Sequence, residues 1–313
     1  MIRVVAPSRL HFGLFRVPVA GEAEPHARAF GGVGLMVEHP GVIVNVRPAE
    51  SWQFEGSLAS RAQVFAARFM LGVPEEHKRP FQILIERCAP EHTGLGTGTQ
   101  LGLAVAKSLA LACGQSHLTA PQLAERVGRG ERSAIGVHGF DRGGFLVDAG
   151  KLPNEHVSPL RVHLALPAEW RVVLFTLPVA SCWFGPAERQ AFSSASPGDP
   201  HALEQLADVA VYAAQQSQFD DFGNAIHELN RKAGEPFAAA QGGVYASREI
   251  ESLIADIRAT GIRGVGQSSW GPTVFAIAPD TDTAMSLVSR FRARVPAFVT
   301  RISTGHRAET TND

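Results

Sequence analysis

Three glycines in five positions, Gly94, Gly96 and Gly98, run directly into the apolar stretch Leu101 to Ala112, and no other segment constrains this chain as strongly. In Pro90-Glu91-His92-Thr93-Gly94-Leu95-Gly96-Thr97-Gly98-Thr99-Gln100 the missing side chains let backbone approach a ligand closely. The helix behind them begins with unpaired N–H groups and a partial positive charge. The combination reads as a phosphate cradle, but not one of the two commonest kinds. A Walker A loop needs Gly-Lys-Ser/Thr, whereas Lys107-Ser108 follows Ala106 and Leu101 stands where the first glycine belongs. The dinucleotide fingerprint G-x-G-x-x-G is not met by Gly94, Gly96 and Gly98 either. A plain strand-to-helix turn would need one or two glycines rather than three accompanied by Thr97 and Thr99.

A chain of 313 residues, 45% hydrophobic and 19% charged, can bury a sizeable core and should divide into about two domains. Its net charge of -1 offers no general attraction to nucleic acid or to an anionic membrane, so anion binding has to be local. Cys88, Cys113 and Cys182 are an odd number without metal-ligand spacing, which fits reduced thiols in a cytoplasmic compartment. Pro7 and Arg9 come too early for a signal-peptide core, and Lys107 interrupts the longest apolar helix, so no targeting or membrane-spanning segment is expected.

Short runs rich in Val, Ile, Leu and Phe predict strands at 3–6, 11–15, 34–37, 42–46 and 81–85. Helices are predicted over 60–71, over 101–113 and after the cap Thr119. Pro153, Pro159 and Pro167 mark a boundary between Lys151 and Trp170, placed at 160/161, and a strand over 171–177 opens the second half. Helical patterns follow at 202–218 and 221–233, then a helix from the cap Ser247 to Gly261, two strands around 264–278, a helix over 281–294 and a last strand over 298–302. The order is that of an α+β domain. Pro186 to Pro200 reads as a mobile loop and Glu309 to Asp313 as a frayed tail.

Three further segments carry candidate chemistry. Gly261 to Pro272 is too long for a plain hairpin turn and holds Gln267, Ser268, Ser269 and Trp270, which suits a pocket wall. The segment 129–145 packs three arginines, a histidine and five glycines into 17 residues, a composition suited to capturing phosphate or carboxylate; Arg129 and Glu131 are read as solvated surface charge. Strand alternation in Pro7 to Leu14 puts Arg9, His11 and Gly13 on one face, where the Arg–His pair admits an anion contact as readily as a structural role. Gly31-Gly32-Val33-Gly34 is most simply a loop closing onto a strand.

Pro7 to Leu14, Pro90 to Thr99 and Gly264 to Phe275 together resemble, in order and separation, the three motifs of the GHMP kinase superfamily, over nearly the whole chain. The resemblance implies a two-domain fold: an N-terminal domain like domain 2 of ribosomal protein S5 over 1–160, a ferredoxin-like α+β domain over 161–313, and a ligand between them. Two departures stand out. The usual Gly-Leu-Gly-Ser-Ser-Ala becomes Gly94-Leu95-Gly96-Thr97-Gly98-Thr99, and the usual Ser-Gly-x-Asp, source of the catalytic carboxylate, is replaced around Ser133 to His138. These variants, with Arg132 to Gly136, Gly143-Gly144-Phe145 and Gly266 to Pro272, are similar to the β-ribofuranosylaminobenzene 5'-phosphate synthase branch, whose members are not kinases.

That resemblance implies condensation of phosphoribosyl pyrophosphate with 4-aminobenzoate or 4-hydroxybenzoate, with loss of CO₂ and pyrophosphate, toward methanopterin-type carriers. It implies Mg²⁺ as cofactor, with Thr97 as a possible ligand, and Gly94, Gly96, Thr97, Gly98 and Thr99 around the pyrophosphate. Arg9 and Arg132, with Ser133 beside them, would hold phosphate or carboxylate; His11 and His138 would serve proton transfer or anion contact. Gln267, Ser268, Ser269 and Trp270 would shape the cleft over ring or ribose. A homodimer is the default assembly. The alternatives are an ATP-dependent kinase borrowing Asp141 or Glu131 as its base, and a non-catalytic ligand-binding relative.

Overall fold

The structure is a computed structural model that describes residues 1–17, 28–178, 185–196 and 198–311. In chain order its elements are β1 (Ile2–Leu14), β2 (Gly32–Pro48), β3 (Gln53–Gly56), α1 (Ala59–Leu71), β4 (Phe81–Cys88), α2 (Thr97–Ala112), α3 (Ala120–Val127), α4 (Ile135–Arg142), β5 (Phe145–Asp148), β6 (Leu160–Leu164), β7 (Arg171–Thr176), α5 (Gly185–Ser193), α6 (Pro200–Gln215), α7 (Phe219–Gly234), α8 (Ala238–Gln241), α9 (Arg248–Arg258), β8 (Val265–Gln267), β9 (Thr273–Ala278), α10 (Thr281–Phe291), β10 (Ala297–Arg301) and β11 (Arg307–Thr310).

Among the described residues two sheets form, and the fold is α+β. The first runs β11-β1-β2-β4-β3, with β5 joined to β2 and β6 to β5; the second runs β10-β7-β9-β8 and is antiparallel. Numbered within the second half, that order is 4-1-3-2, the ferredoxin-like arrangement expected. Side-chain sorting explains the layers. Helices α1, α2 and α3 cover one face of the first sheet through Phe65, Phe69, Leu101, Leu109 and Leu123 against Val4, Val44, Ile83 and Ile85. Helices α6 and α7 lie between the sheets, packing Leu203, Phe222, Ile226 and Leu229 against Leu10, Phe12, Leu35 and Phe145 on one side and Val172, Leu174, Phe275 and Ile277 on the other. The alternate residues Val173, Phe175, Val274 and Ala276 face α9 and α10. Strict period-2 alternation along β7 and β9 thus fills two cores from one sheet.

Four expectations are corrected. The strands expected at 3–6 and 11–15 are one strand, and so are those at 34–37 and 42–46; Pro7 in β1 and Pro40 and Gly41 in β2 lie within continuous strands, with register breaks between Ala6 and Ser8 and between His11 and Gly13. The boundary at 160/161 falls inside β6, whose pairing with β5 puts it in the first sheet, and β11 returns to that sheet beside β1. Glu309 and Thr310 therefore pair with Arg3 and Ile2 rather than fray. The segment expected to be a mobile loop holds α5, and Pro200 opens α6 behind the cap Asp199.

Cys88 and Cys113 are free thiols, and burial, aided by Glu91, pushes Cys88 up to about 11, so both fit the structural role expected. Cys182 lies outside the described residues. No described helix is long and apolar enough to cross a membrane.

Candidate active site

Backbone hydrogen bonds sew the three motif segments into one wall. Arg9 N–H donates to the Leu95 carbonyl at 2.9 Å, and Ser269 N–H donates to the His11 carbonyl at 3.0 Å. The Ser268 hydroxyl donates to the Gly94 carbonyl at 2.6 Å and accepts from His11 N–H at 3.0 Å. The approach is so close that a Cβ on Gly94, whose φ is +80°, would sit 2.2 Å from the Ser268 carbonyl oxygen. Ser268 is fully buried. It is a rivet between the segments and does not line the cleft, which corrects its assignment to the ligand. Gln267 is likewise occupied: its side chain donates to the Ser269 carbonyl and accepts from Ala246 N–H, both at 2.8 Å, although its flank borders the cleft.

The cleft measures about 710 Å³ and is bordered by β1, the glycine loop, the 128–133 segment, α5 and the β8–β9 loop. Gly96, with φ +68°, opens α2 and no side chain caps the helix; Thr99 N–H donates to the Gly96 carbonyl at 3.0 Å, which leaves the Thr97 and Gly98 N–H groups as the uncapped ones of the first turn. Gly94, Gly96, Thr97, Gly98 and Thr99 all border it. Thr97 spends its hydroxyl proton on the Pro90 carbonyl at 3.2 Å, leaving oxygen lone pairs. Thr99 Oγ1 accepts from Arg129 Nη2 at 3.1 Å.

Charge is concentrated here. Arg9, Arg61, Arg129, Arg132 and Arg189 border the cleft beside Glu91, Glu131 and Glu188. Two of those carboxylates are taken: Glu91 pairs with Arg61, and Glu188 with Arg132 at 2.6 Å. Arg129, read from sequence as solvated charge, is instead folded inward over Thr99, and burial with the nearby Arg61 and Arg132 lowers its pKa. Arg9 Nε is buried without a hydrogen-bond partner among the described residues. Burial, reinforced by Arg132 and Arg129, brings its pKa down to about 10. Five guanidinium groups against three carboxylates beside a helix N-terminus make an arrangement suited to a polyanion.

His11 is buried beside these cations with Nε2 unpartnered among the described residues. Burial first, then Arg9 and Arg132, hold its pKa well below 6.5, so the ring is neutral and can accept a proton or hydrogen bond. A Cβ on Gly32 would come within 2.9 Å of both His11 Nε2 and Ser133 Oγ, so this glycine keeps open the space both groups face. The titration has a measurable consequence. His11 takes up a proton near pH 6.5 in the unfolded chain but resists it in the fold, so stability present above that pH is lost as pH falls, by about 1.4 kcal/mol per pH unit at the limit. Urea unfolding should show His11→Gln losing about 1 kcal/mol less than the parent between pH 7.5 and 5.5; equal losses would reject this environment for His11.

Other expected site residues lie elsewhere. His138 Nε2 donates to the Ser158 carbonyl at 2.8 Å and does not border the cleft. Ser133 borders the cleft but donates to Asp148 Oδ2 at 2.8 Å. Asp148, fully buried and missed from sequence, also accepts from Ala134 N–H, Gly150 N–H and the Ser158 hydroxyl at 2.8–3.0 Å. It fixes the 132–135 turn from behind; its only sequence signal is a carboxylate ending an apolar strand. Of the proposed kinase bases, Asp141 accepts from Ala120 N–H and lies near His306, away from the cleft, while Glu131 borders it. Trp270 borders the cleft and donates through Nε1 to Glu188 Oε1 at 3.0 Å.

The comparisons with known proteins agree with this architecture. The family described as GHMP kinases N terminal domain matches residues 60–146, and that described as GHMP kinases C terminal matches 210–297. The chain is 30% identical over 292 residues to the β-ribofuranosylphenol 5'-phosphate synthase of Archaeoglobus fulgidus, and 29% identical over 300 residues to that of Methanothermobacter thermautotrophicus, with 88% of each chain covered in both cases. Among solved structures, phosphomevalonate kinase from Streptococcus pneumoniae superposes with a TM-score of 0.72 at 12% identity, covering 96% of this chain and 99% of that one. An arginine-lined cleft at a glycine-opened helix, set in this fold and matched along its length, places the chain: it belongs to the GHMP kinase superfamily and, within it, to the family of the β-ribofuranosylphenol 5'-phosphate synthases.

Proposed function

We propose that the chain joins phosphoribosyl pyrophosphate to 4-hydroxybenzoate or 4-aminobenzoate, releasing CO₂ and pyrophosphate, on the route to methanopterin-type carriers. The observation that supports this is the convergence of Arg9 and Arg129, neither in an ion pair with a carboxylate among the described residues, on the glycine-opened start of α2. The relatives' name denotes a phenol product, which makes 4-hydroxybenzoate the first acceptor to test.

The residues suit that chemistry. As the bond from C1' of the ribose to pyrophosphate breaks, its electron pair goes to the leaving oxygen, and charge grows there while the sugar gains oxocarbenium character. Arg9, Arg129 and the first-turn N–H groups of α2 stabilise that charge more in the transition state than before it. The ring carbon bearing the carboxylate attacks C1', the bond to CO₂ breaks, and its electron pair restores aromaticity, so no ring proton has to be removed. Neutral His11 is then suited to accepting a hydrogen bond from the phenol or the ribose.

Mg²⁺ would enter as part of the diphosphate substrate, countering its charge. Among the described residues no group of three His, Cys, Asp or Glu could hold a metal, and Mg²⁺ is commonly held by substrate phosphates with few protein oxygens. The Thr97 hydroxyl oxygen and Glu91, which also pairs with Arg61, are among the protein oxygens beside the cradle.

Incubation with phosphoribosyl pyrophosphate, Mg²⁺ and carboxyl-labelled benzoates should release CO₂ and pyrophosphate one to one, with turnover abolished by excess EDTA and no ADP formed from ATP. ADP formation, or pyrophosphate release independent of any benzoate, would rule the reaction out.

A further inference from the structure

One end of the cleft is built of groups that phosphates and ribose do not require. Helix α5 brings Phe192 to an edge-on contact with Trp270, centroids 5.6 Å apart at 75°, and Phe237 meets the same indole at 4.7 Å and 79°. The Arg132 guanidinium lies over the Phe192 ring, 5.1 Å from its centroid. Glu188 grips that guanidinium with both oxygens, Oε1 2.6 Å from Nη1 and Oε2 2.8 Å from Nη2, the two-pronged geometry in which arginine binds any carboxylate. Glu188 Oε1 also accepts from Trp270 Nε1 at 3.0 Å. Flat apolar faces beside a guanidinium are what an aromatic acid needs, and the guanidinium is already holding a carboxylate.

We propose that this corner is the seat of the aromatic acid, that Arg132 takes its carboxylate, and that Glu188 is a resident carboxylate that occupies Arg132 whenever the acid is absent. The proposal rests on the reaction proposed above and names its acceptor site. The pair does not have the character of a buried staple, since 44% of the Arg132 side chain is exposed and such ion pairs contribute little to stability. Burial pushes the Glu188 pKa up, but Arg132, Trp270 and Arg9 more than offset it and keep the group ionised at neutral pH. Exchange of one carboxylate for another leaves the number of ion pairs on Arg132 unchanged, so the aromatic contacts decide the equilibrium. The reaction then reverses the exchange. CO₂ leaves as a neutral molecule, the product has no carboxylate, and Glu188 closes back onto Arg132, which favours product exit and disfavours its return.

Glu188→Gln keeps the length and the acceptor for Trp270 but removes the competing charge. Calorimetry with pyrophosphate and Mg²⁺ present should show 4-hydroxybenzoate binding about tenfold tighter to Glu188→Gln than to the parent, with 4-hydroxybenzamide, which has no carboxylate, within twofold of its parent value. Phe192→Leu should weaken both aromatic ligands alike, by about tenfold. Unchanged benzoate affinity in Glu188→Gln, an equal gain for the amide, or an equal gain for pyrophosphate titrated alone would each overturn the proposal, the last two by showing an effect with no preference for an aromatic carboxylate. Failure of the reaction itself reads differently: the benzoate would bind and respond to Glu188→Gln, yet no CO₂ would be released.

Discussion

An Arg9→Met protein should lose a hundred- to thousandfold in kcat/KM for the diphosphate substrate and yet unfold at a higher temperature than the parent. The two effects have one cause. Arg9 is held by β1 beneath the glycine loop, with Arg129 and Arg132 nearby and Nε unpartnered among the described residues. Lowering of its pKa from 12.5 to about 10 corresponds, at 1.36 kcal/mol per pKa unit, to about 3 kcal/mol set against the fold; solvent in the cleft screens part of this, leaving about 1–2 kcal/mol. Methionine fills similar space without the charge and should recover that amount, a rise of a few degrees. Catalysis loses a charge-assisted donor aimed where leaving-group charge develops, and removal of one such donor typically lowers rate by about a hundred- to thousandfold. Scanning calorimetry and single-turnover pyrophosphate release measure the two quantities on one sample. Loss of both activity and stability would mean that Arg9 supports the fold instead of the ligand.

Gly96→Val should weaken pyrophosphate binding by more than a hundredfold while leaving far-ultraviolet circular dichroism unchanged. Gly96 opens α2 with φ +68°, a left-handed conformation that costs an L-residue about 1–2 kcal/mol and a β-branched one more. A Cβ there would also stand 3.0 Å from Arg9 Cβ and 3.2 Å from Arg9 Nε, so the substitution would disturb both the backbone that approaches the anion and the cation that balances it. Gly98 supplies the internal comparison. It has no such φ, and its Cβ would meet mainly the flexible tip of Arg61, 2.9 Å from Nη2, so Gly98→Ala should weaken binding far less. Calorimetric titration of inorganic pyrophosphate distinguishes the two; undiminished binding to Gly96→Val would mean that the loop is not the cradle.

The glycine loop, the apolar helix behind it and the strand face carrying Arg9 and His11 were all legible in the sequence, because each depends on local properties: missing side chains, helix-end N–H groups and period-2 alternation. The caps Thr119 of α3 and Ser247 of α9 were legible for the same reason. What failed to read were long-range pairings. β11 has no meaning without β1, three hundred residues earlier in the chain, and β6 joins the first sheet only through β5. Helix α5 looked like a loop because Ser and Pro punctuate its far end, while its value to the site, the placing of Glu188 and Phe192, comes from packing against Trp270 and Arg132.

Sequence by itself therefore determined that a glycine-opened helix start suited to a phosphate-like group is present and that the usual kinase carboxylate is missing from Ser133 to His138. Tertiary structure decided which charges meet. It turned His138 toward Ser158 and away from the cleft, drew Arg129 inward, spent Ser268 on joining two segments, and set Glu188 on Arg132. Backbone conformation follows from a few neighbouring residues, whereas the field at a site is a sum over side chains that only folding brings within a few ångströms of one another.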